Sequence, residues 1–409
     1  MKLHYFLCTR TTRKTSVMLA FALLGLSCTG TKTSTLEPTQ HDKKKQEVAR
    51  QEANSEAVAP FNVVRHSPED SLRIKIGQMV MMGIGERQVV KQDDELVTDI
   101  KANRVGGVVL FEKNISTMNS GETLKKLISD LQAASAIPLF VSIDEEGGRV
   151  HRLKEKYGFF PLPSAAYLGS LNSIDSTLYY NHKLSSLLHS LNFNLNYAPV
   201  LDVAVNPSNP VIAKLERSFS SDYNTVTEHA LASIVAHHDS DIKTVLKHFP
   251  GHGSSSADSH FGIVDVTKGW GFEELIPYAR IIRSGKCDGI MTAHIVNTRL
   301  DSTGLPSTLS KTIIGGILRD LLNFQGVVFS DDMQMYAISK NYGTRQAIKL
   351  AINAGVDVIM FSNNVPANER VTALFVNETI YSLVKSGEVS VQLIDKSYRR
   401  IRALKSKEI

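Results

Sequence analysis

Three histidines and an aspartate lie close together in the stretch that runs from residue 246 to residue 260. They are His248, His252, Asp258 and His260, and the segment between them is rich in glycine and serine. Side chains of these types either bind a metal ion or handle a substrate and its protons. The spacing of the four residues and the elements around them decide between the two chemistries.

A metal site is one interpretation of these residues, but the local sequence does not favour it. His248 and His252 are four residues apart, which on a helix would place them on one face. The intervening Phe249-Pro250-Gly251 is incompatible with a continuous helix. An H-x-H motif is also missing after the first apolar run. A serine nucleophile is less favoured still, because the serines at 254–256 lack a G-x-S-x-G elbow.

Sugar chemistry is the third interpretation, and it uses an acidic residue from elsewhere in the chain. A glycosidase needs one group that attacks or stabilises the anomeric carbon and another that protonates the leaving oxygen. Asp331 can supply the carboxylate. His260 can supply the proton, with Asp258 orienting its ring, because histidine titrates close to neutral pH. The segment 251–257 is then predicted to be a mobile loop that carries the proton donor.

The elements that must position these residues are indicated by a regular alternation of apolar runs and helical patterns. Most of the runs are continuous, which is typical of parallel strands buried on both faces. A G-x-G-x-x-G motif does not follow the first run, so a doubly wound sheet is the less favoured alternative. We predict a single-domain α/β protein with a (β/α)8 TIM-type barrel. Its eight strands are expected at residues 79–82, 107–111, 139–143, 195–200, 244–249, 289–293, 327–330 and 357–361.

Two of the helical patterns carry recognisable end signals. The pattern at 119–134 has Leu124, Ile128 and Leu131 on one face. Asn119 and Glu122 predict a capping box at its start. The pattern at 344–354 is expected to end at Gly355, since glycine is the usual residue at a helix C-terminus.

Polar residues end five of the predicted strands, and in a barrel such ends meet at one rim. They are Asp144 to Arg149, Asp202, Lys247 with His248, His294, and Asp331 with Asp332. This convergence predicts an active site, because buried charges are costly unless they are paired or used. Structural roles stay open for some: Asp202 could pair with Arg217, Glu145 and Glu146 could be solvated, and Arg152 could pair with one of the acids. Only one of Asp331 and Asp332 is expected to face the barrel mouth.

The N-terminus has the features of an export signal. Arg10, Arg13 and Lys14 precede an apolar run at 17–26 that is short for a membrane span. A small residue followed by Cys28 is typical of a bacterial lipoprotein cleavage site, although an ordinary signal peptide is the alternative. We expect residues 1–28 to be the signal, 29–67 to be a flexible tether of low apolar content, and 68–409 to be the catalytic domain. The expected location is therefore outside the cytoplasm, on a membrane that holds the lipid.

Charge and cysteine content exclude other classes of protein. The formal net charge is +5 and is not concentrated into a basic block, so a nucleic-acid partner is not expected. Cys8 and Cys28 belong to the leader, which leaves Cys287 as the only cysteine of the domain. A disulfide framework and a cysteine-based metal site are therefore excluded, and Cys287 is predicted to be a small core residue.

Taken in order, the motifs of the domain resemble those of family 3 glycoside hydrolases. The branch they match is the β-N-acetylhexosaminidases, which take part in cell-wall recycling. The resemblance covers the chain from about residue 68 to the C-terminus. It rests on KIGQM (75–79), GGVVLF (106–111), DEEGGRV (144–150), APVLDV (198–203), ERS (216–218), KHFPGHG (247–253), DSH (258–260) and FSDD (329–332).

The resemblance implies a role for each matching residue. Asp331 would be the nucleophile, and Asp258 and His260 would be the acid/base pair. The hydroxyls and acetamido group of a terminal N-acetylglucosamine would be held by Asp144, Arg217, Lys247 and His248, with help from Arg152 and a looser contribution from His294. No metal or cofactor is implied. Glu145 departs from the glutamine that is common in the family and would add negative charge near the sugar.

Three other functions remain as alternatives to a β-N-acetylhexosaminidase. A β-glucosidase of the same family is disfavoured by the Asp-x-His pair at 258–260, since that branch usually takes its acid from a second domain. A metal-dependent hydrolase would be inactivated by chelation. A non-catalytic lipoprotein that binds glycans would have no need of an acid/base pair.

Overall fold

The computed structural model describes residues 67–407, which lie within one compact unit of the chain. Eight parallel strands close into a barrel, and each follows its neighbour in sequence around the ring. This confirms the predicted (β/α)8 architecture. The barrel strands are β1 (Val80–Gly83), β2 (Gly107–Leu110), β3 (Phe140–Ile143), β4 (Leu195–Asn196), β5 (Lys243–Phe249), β7 (Gly289–Thr292), β9 (Val327–Asp332) and β10 (Val358–Phe361); β6 (Val264–Asp265) and β8 (Ile295–Val296) pair outside it.

Helices surround the barrel and cover the outer faces of its strands. They are α1 (Pro68–Gln78), α2 (Glu95–Lys101), α3 (Ser120–Ala133), α4 (Ala165–Ser170), α5 (Ile174–Ser190), α6 (Tyr223–His238), α7 (Ile276–Arg283), a π-helix (Thr312–Leu321), α8 (Tyr336–Ser339), α9 (Thr344–Ala354), α10 (Ala373–Lys385) and α11 (Val391–Ser406). Within residues 67–407, none of these helices has the length and apolar character needed to cross a bilayer. The predicted signal, Cys28 and nearly all of the predicted tether lie outside the described residues.

Each of the eight predicted runs overlaps one barrel strand, and the differences lie at the strand ends. The run at 195–200 forms a ladder only over Leu195–Asn196. Pro199 explains the early end, because proline has no N–H to donate to a neighbouring strand. A single bridge between Val200 and Lys247 continues the alignment beyond it. The strand predicted at 327–330 extends to Asp332, so both aspartates belong to the strand end.

The helix-end predictions have different outcomes. Gly355 ends its helix in the left-handed conformation with φ of 113°, as predicted. The capping box at Asn119 is absent, and that prediction is wrong. Asn119 has φ of 47°, and its side chain makes no cap hydrogen bond. A side-chain cap requires an extended backbone at the capping residue, which this left-handed conformation does not provide.

The small sheet of β6 and β8 is a feature that the sequence did not predict. Val264 pairs with Ile295 and Asp265 with Val296 in parallel register. Strands of two residues leave too short a pattern to recognise. The pairing ties the chain down shortly after His260, so the loop that carries this histidine is anchored on its far side.

The barrel interior is filled by side chains and is not a channel. Phe140 and Tyr197 both pack edge-on against the ring of Phe329, with centroids 5.9 and 6.1 Å away. All three rings are buried, and the hydroxyl of Tyr197 contacts the sulfur of Met81. This packed layer gives the rim a rigid floor. Cys287, predicted to be a core residue, is half-buried and packs against the core from outside the barrel.

Lys405 closes the opposite end of the barrel. Its Nζ donates to the Gln78 side chain at 2.8 Å and to the Gly106 carbonyl at 2.6 Å. It also lies 4.8 Å from the ring centroid of Phe140. None of these partners carries a negative charge. Burial, with a further contribution from the charge of Arg402, lowers the pKa of Lys405 to about 7.

This environment makes the stability of the barrel depend on pH. The unfolded chain keeps Lys405 protonated up to its ordinary pKa of 10.5, whereas the folded chain loses the proton near pH 7. The unfolded state therefore binds more protons between these values, and the free energy of unfolding rises with pH in this window. In Lys405→Met the rise is expected to be smaller. Urea unfolding of both proteins at pH 6.5 and 9 measures the difference.

The control for this prediction is Lys396→Met on the same helix. Lys396 is exposed, so its replacement is expected to leave the pH dependence of the wild type unchanged. An equal rise in stability with pH in wild type and Lys405→Met would contradict the assignment to Lys405.

Candidate active site

A buried cluster of four charges lies at the carboxyl ends of β3 and β5. Lys247 Nζ is 2.7 Å from Asp144 Oδ1 and 2.6 Å from Glu146 Oε1. Arg217 donates to both oxygens of Glu146, from Nε at 2.8 Å and from Nη2 at 2.7 Å. Three motifs that are far apart in the sequence thus meet in one network. Burial by itself raises the pKa of Glu146, but the charges of Arg217 and Lys247 outweigh it and hold that pKa far below its usual range.

Glu146 is the residue of this cluster that the sequence did not assign. The sequence left open that Glu145 and Glu146 are solvated, and the structure shows that neither is. The carboxyl group of Glu146 is only 4% exposed and joins the two cations. Glu145 is fully buried, and it binds His151 Nδ1 at 2.5 Å and the backbone N–H groups of Arg152 and Leu153. The carboxylate of Glu145 is therefore bound by His151 and by two backbone N–H groups of the segment that follows β3.

Asp202 orients the first histidine of the opening stretch. Its Oδ2 is 2.7 Å from His248 Nδ1, and its Oδ1 accepts from the backbone N–H groups of His248 and His252. This arrangement assigns the proton to Nδ1 and leaves Nε2 as an acceptor, 3.3 Å from Arg217 Nη2. The possible ion pair between Asp202 and Arg217 does not form, because Arg217 is held by Glu146.

Asp331 and Asp332 have different roles, as the alternation of strand side chains predicted. Asp332 accepts from the Ser362 and Gln334 backbone N–H groups, each at 3.1 Å, and from the Ser362 hydroxyl. Among residues 67–407, the one hydrogen bond that Asp331 accepts comes from the backbone N–H of Asp332, at 2.7 Å. Its other lone pairs are available at the barrel mouth. Asp332 is therefore the structural member of the pair.

The charge of Asp331 is maintained by three histidines. Burial alone raises the pKa of Asp331, but His294, His248 and His260 together lower it below its ordinary value. A carboxylate that stays ionised and is not neutralised by a direct ion pair is a suitable nucleophile. The charge of His260 thus acts on Asp331, although the two residues belong to different elements.

Asp258 and His260 form the predicted pair. Asp258 Oδ1 is 2.8 Å from His260 Nδ1 and accepts the backbone N–H of His260 at 2.8 Å. Asp258 thus holds the proton on Nδ1, and Nε2 is free to exchange a proton with a ligand. The His260 side chain is 64% exposed, in contrast to the buried charge cluster. The His260 ring is therefore an accessible part of the site.

Arg152 and His294 are less exposed to solvent than His260. His294 is fully buried, and its Nδ1 contacts the Thr308 hydroxyl at 2.8 Å while Nε2 contacts the Asp332 carbonyl at 3.0 Å. With both nitrogens engaged, it holds the backbone next to Asp331. Arg152 is half-buried, and its Nε has no hydrogen-bond partner among the described residues. It does not form the ion pair with Glu145 or Glu146 that the sequence left open.

The histidines of the opening stretch do not converge on one point. His248 is bound by Asp202, His252 Nε2 lies 3.3 Å from the Ser259 hydroxyl, and His260 is bound by Asp258. Between residues 67 and 407, the structure contains no group of three or more His, Cys, Asp or Glu side chains arranged to hold a metal ion. The geometry therefore favours the interpretation in which these residues handle a substrate and its protons.

Comparison with known proteins identifies the family. Residues 71–404 match the model described as the glycosyl hydrolase family 3 N-terminal domain. The match covers well over half of the chain, which therefore belongs to this family. The resemblance drawn from the motifs is confirmed.

The relatives that the chain matches in sequence include beta-hexosaminidases. The chain is 31% identical over 338 residues to the beta-hexosaminidase of Idiomarina loihiensis, covering 78% of this chain and 97% of that protein. It is 34% identical over 290 residues to beta-hexosaminidase A of Pseudoalteromonas piscicida, covering 65% of this chain. That match spans only 47% of the relative, about half its length.

A solved structure agrees with the sequence relatives. The chain is similar to a family 3 beta-N-acetylglucosaminidase from Paenibacillus sp. str. FPU-7, with a TM-score of 0.74 and 32% identity. The similarity covers 82% of this chain and 62% of that one. The fold and the family thus agree across both comparisons.

The charge cluster makes a quantitative prediction for Glu146→Gln. The substitution leaves Arg217 buried beside an amide and removes one of the two acids at Lys247. Breaking a buried ion pair costs about 3–5 kcal/mol of stability. We expect the free energy of unfolding to fall by about 3 kcal/mol, because Asp144 still pairs with Lys247. Since the fold lowers the pKa of Glu146, the difference in free energy of unfolding between variant and wild type becomes smaller as the pH falls below 4.5.

Denaturant unfolding at pH 7 and pH 4 measures both effects. Glu155→Gln, at an exposed position of the same loop, is the matched control and should change stability by less than about 0.5 kcal/mol. Equal stability of the Glu146 and Glu155 variants at pH 7 would contradict the role assigned to the cluster.

Proposed function

We propose that the protein is a retaining exo-β-N-acetylhexosaminidase that removes terminal N-acetylglucosamine from glycans. The observation that carries the proposal is the pairing of two groups at the barrel mouth. Asp331 is an ionised carboxylate on a strand end, and the Asp258–His260 pair presents an exposed ring nitrogen from a loop. One group suits attack at the anomeric carbon, and the other suits proton transfer to the leaving oxygen.

In the first step, an oxygen of Asp331 bonds to the anomeric carbon while the glycosidic bond breaks. The Nε2 proton of His260 moves to the departing oxygen, so the aglycone leaves as a neutral alcohol. Asp258 stabilises the imidazolium before transfer and keeps the Nδ1 proton in place afterwards. The product of this step is a glycosyl ester of Asp331.

In the second step, water replaces Asp331. The neutral Nε2 of His260 takes a proton from the water molecule, whose oxygen bonds to the anomeric carbon as the ester bond breaks. Two displacements at the same carbon restore the original configuration. Asp331 leaves as a carboxylate and His260 is protonated again, so the site returns to its starting state without a metal or cofactor.

The buried charge cluster supports recognition of a sugar at the chain end. Asp144 has 21% of its side chain exposed, whereas Lys247 has only 1%. Asp144, Arg217, Lys247 and His248 thus offer fixed donors and acceptors backed by closed structure, which suits a terminal residue and not a continuous chain. The names of the relatives support N-acetylglucosamine as that residue. The family resemblance supports peptidoglycan fragments as the source.

We further propose that the enzyme acts outside the cytoplasm. The support comes from the basic residues, the apolar run at 17–26 and Cys28 at the end of that run. A lipid on Cys28 would join the catalytic domain to a membrane surface. Glycan fragments released from the cell wall would then be the substrates within reach.

The function is tested with chromogenic aryl glycosides. Wild type is expected to hydrolyse the β-N-acetylglucosaminide, to be inactive on the β-glucoside, and to be indifferent to chelator. His260→Ala is expected to lower kcat/KM by about 100- to 10,000-fold, because proton transfer by a positioned side chain contributes this much. Asp331→Ala removes the nucleophile and is expected to abolish turnover.

His189→Ala is the control for the histidine variant, since His189 is exposed on α5 away from the strand ends. Loss of turnover on chelation would favour the interpretation in which the histidines bind a metal ion. Binding of N-acetylglucosamine without turnover of either glycoside would favour a glycan-binding lipoprotein.

Lipidation is tested with Cys28→Ser in the full-length chain. Wild type is expected to incorporate labelled palmitate and to partition into detergent, because the acyl chain anchors it. The variant should remain in the aqueous phase with its activity on the chromogenic substrate intact. Equal partitioning of the two proteins would contradict an anchor at Cys28.

A further inference from the structure

The loop that carries the acid/base pair is fixed at its base by buried polar side chains. It runs over residues 251–262, and glycine lies at both ends: Gly251 has φ of 122° and Gly262 has φ of 158°. Asn209 Nδ2 donates to the carbonyls of His252 and Gly253, at 2.8 and 3.0 Å. Asn206 Nδ2 donates to the Ser255 carbonyl at 2.8 Å. These contacts hold the carbonyls of the loop base, so its N–H groups need a separate acceptor.

Glu274 supplies that acceptor. Its Oε2 accepts the backbone N–H of Gly253 at 2.8 Å and that of Ser254 at 3.3 Å. The carboxyl group is fully buried, and its Oε1 has no hydrogen-bond partner in the described part of the chain. A Cβ added at Gly251 would lie 2.6 Å from the Glu274 Cβ, so the side chain and the loop backbone are in close contact.

The surroundings of Glu274 contain no neutralising cation. The structure gives it no ion pair within residues 67–407, and the charged group that acts on it is Asp202, which repels it. Tyr278 faces it from α7. On the strand side, Asp202 binds the His248 ring and accepts the backbone N–H groups of His248 and His252.

The tip of the loop has a weaker attachment. Ser259, between Asp258 and His260, is buried and reaches His252 Nε2 at 3.3 Å. Burial lowers the pKa of His252 to about 4, so this contact is between neutral groups. The strong contacts are thus at the base of the loop, and the position of His260 depends on how the base is held.

We propose that Glu274 is a positioning residue for the acid/base loop. By accepting the Gly253 and Ser254 N–H groups, its carboxyl group fixes the orientation in which the loop presents His260 to the barrel mouth. The inference deepens the proposed function, because it assigns His260 the role of proton donor. Glu274 itself does not touch the substrate, and it acts through the loop backbone.

The protonation state of Glu274 then controls the loop. Burial, reinforced by the charge of Asp202, raises the pKa of Glu274 to about 8 from its ordinary 4.5. While the loop is bound to it, Glu274 therefore keeps a proton that a solvated carboxyl group would release. The attachment of the loop to Glu274 weakens as the pH rises from 4.5 to 8. Above that range a buried carboxylate without a cation lies under the loop, which is an unfavourable arrangement.

A tryptophan provides a direct probe of the loop base. Trp270 is the only tryptophan in the sequence, and it is buried with its Nε1 donating to the Pro250 carbonyl at 3.3 Å. It lies four residues before Glu274. Its fluorescence therefore reports on the segment that Glu274 holds, and it does so whether or not the protein turns over a substrate.

The first experiment is a fluorescence titration of the intact protein from pH 5.5 to 9.5. Wild type is expected to show a change with a midpoint near 8, the pKa of Glu274. Glu274→Gln keeps an acceptor for the two N–H groups but cannot ionise, so the change should disappear. Glu273→Gln, the same substitution at the adjacent residue, should behave as wild type.

The proposal is overturned if Glu274→Gln keeps the wild-type midpoint. It is also overturned if wild type shows no change over the range while its circular dichroism stays that of the folded protein.

The second experiment separates positioning from general damage. For Glu274→Ala, kcat/KM is compared on a 2,4-dinitrophenyl β-N-acetylglucosaminide and on the disaccharide of β-1,4-linked N-acetylglucosamine. The first leaving group needs no proton, whereas the second does. A displaced His260 should lower kcat/KM for the disaccharide by about 10- to 100-fold more than for the aryl substrate. Glu274→Gln at pH 6 should restore the disaccharide activity.

If Glu274→Ala lowers kcat/KM equally for the two substrates, the role of Glu274 is only structural and the proposal is overturned. If wild type hydrolyses neither substrate, the proposed function fails, and the fluorescence titration still decides whether Glu274 holds the loop.

Discussion

The site depends on keeping a group of charges buried and paired at the rim of the barrel. Lys247 is almost fully enclosed, and such a cation is tolerated only because Asp144 and Glu146 both lie within 2.7 Å of its ammonium group. Glu146 in turn holds Arg217 through two hydrogen bonds. Removing Glu146 would leave Arg217 without its acid in a poorly solvated place, although Asp144 would still pair with Lys247. The cluster therefore fixes three separate segments of the chain relative to one another.

Around this fixed cluster the reactive groups are divided between a rigid element and a loop. Asp331 extends from the end of β9, and its neighbour Asp332 fastens that strand end to Ser362. The proposed acid/base pair belongs to a loop with glycines at both ends, and His260 is largely exposed. This division suits the proposed reaction, in which the nucleophile must stay in place while the proton donor meets different leaving groups.

The barrel explains why the division is possible. Parallel strands that close on themselves leave their side chains packed inside and bring their carboxyl ends to one rim. Phe140, Tyr197 and Phe329 fill the interior below that rim, and Lys405 closes the far end. The floor is rigid, so small differences in loop position are not absorbed by the core. A buried carboxyl group such as Glu274 can therefore set the position of an exposed residue some distance away.

The sequence by itself determined the barrel and its eight strands, and it predicted that Asp258 and His260 pair, because continuous apolar runs and an aspartate two residues from a histidine are local patterns. It also determined that Asp331 and Asp332 face opposite ways, since that follows from strand geometry. The tertiary structure alone decided which charges pair. The sequence left Glu146 open as a solvated acid and gave no signal for Glu274, and the partners of both come from segments about 20 to 100 residues away. Such pairings depend on three-dimensional approach and burial, which no local pattern encodes.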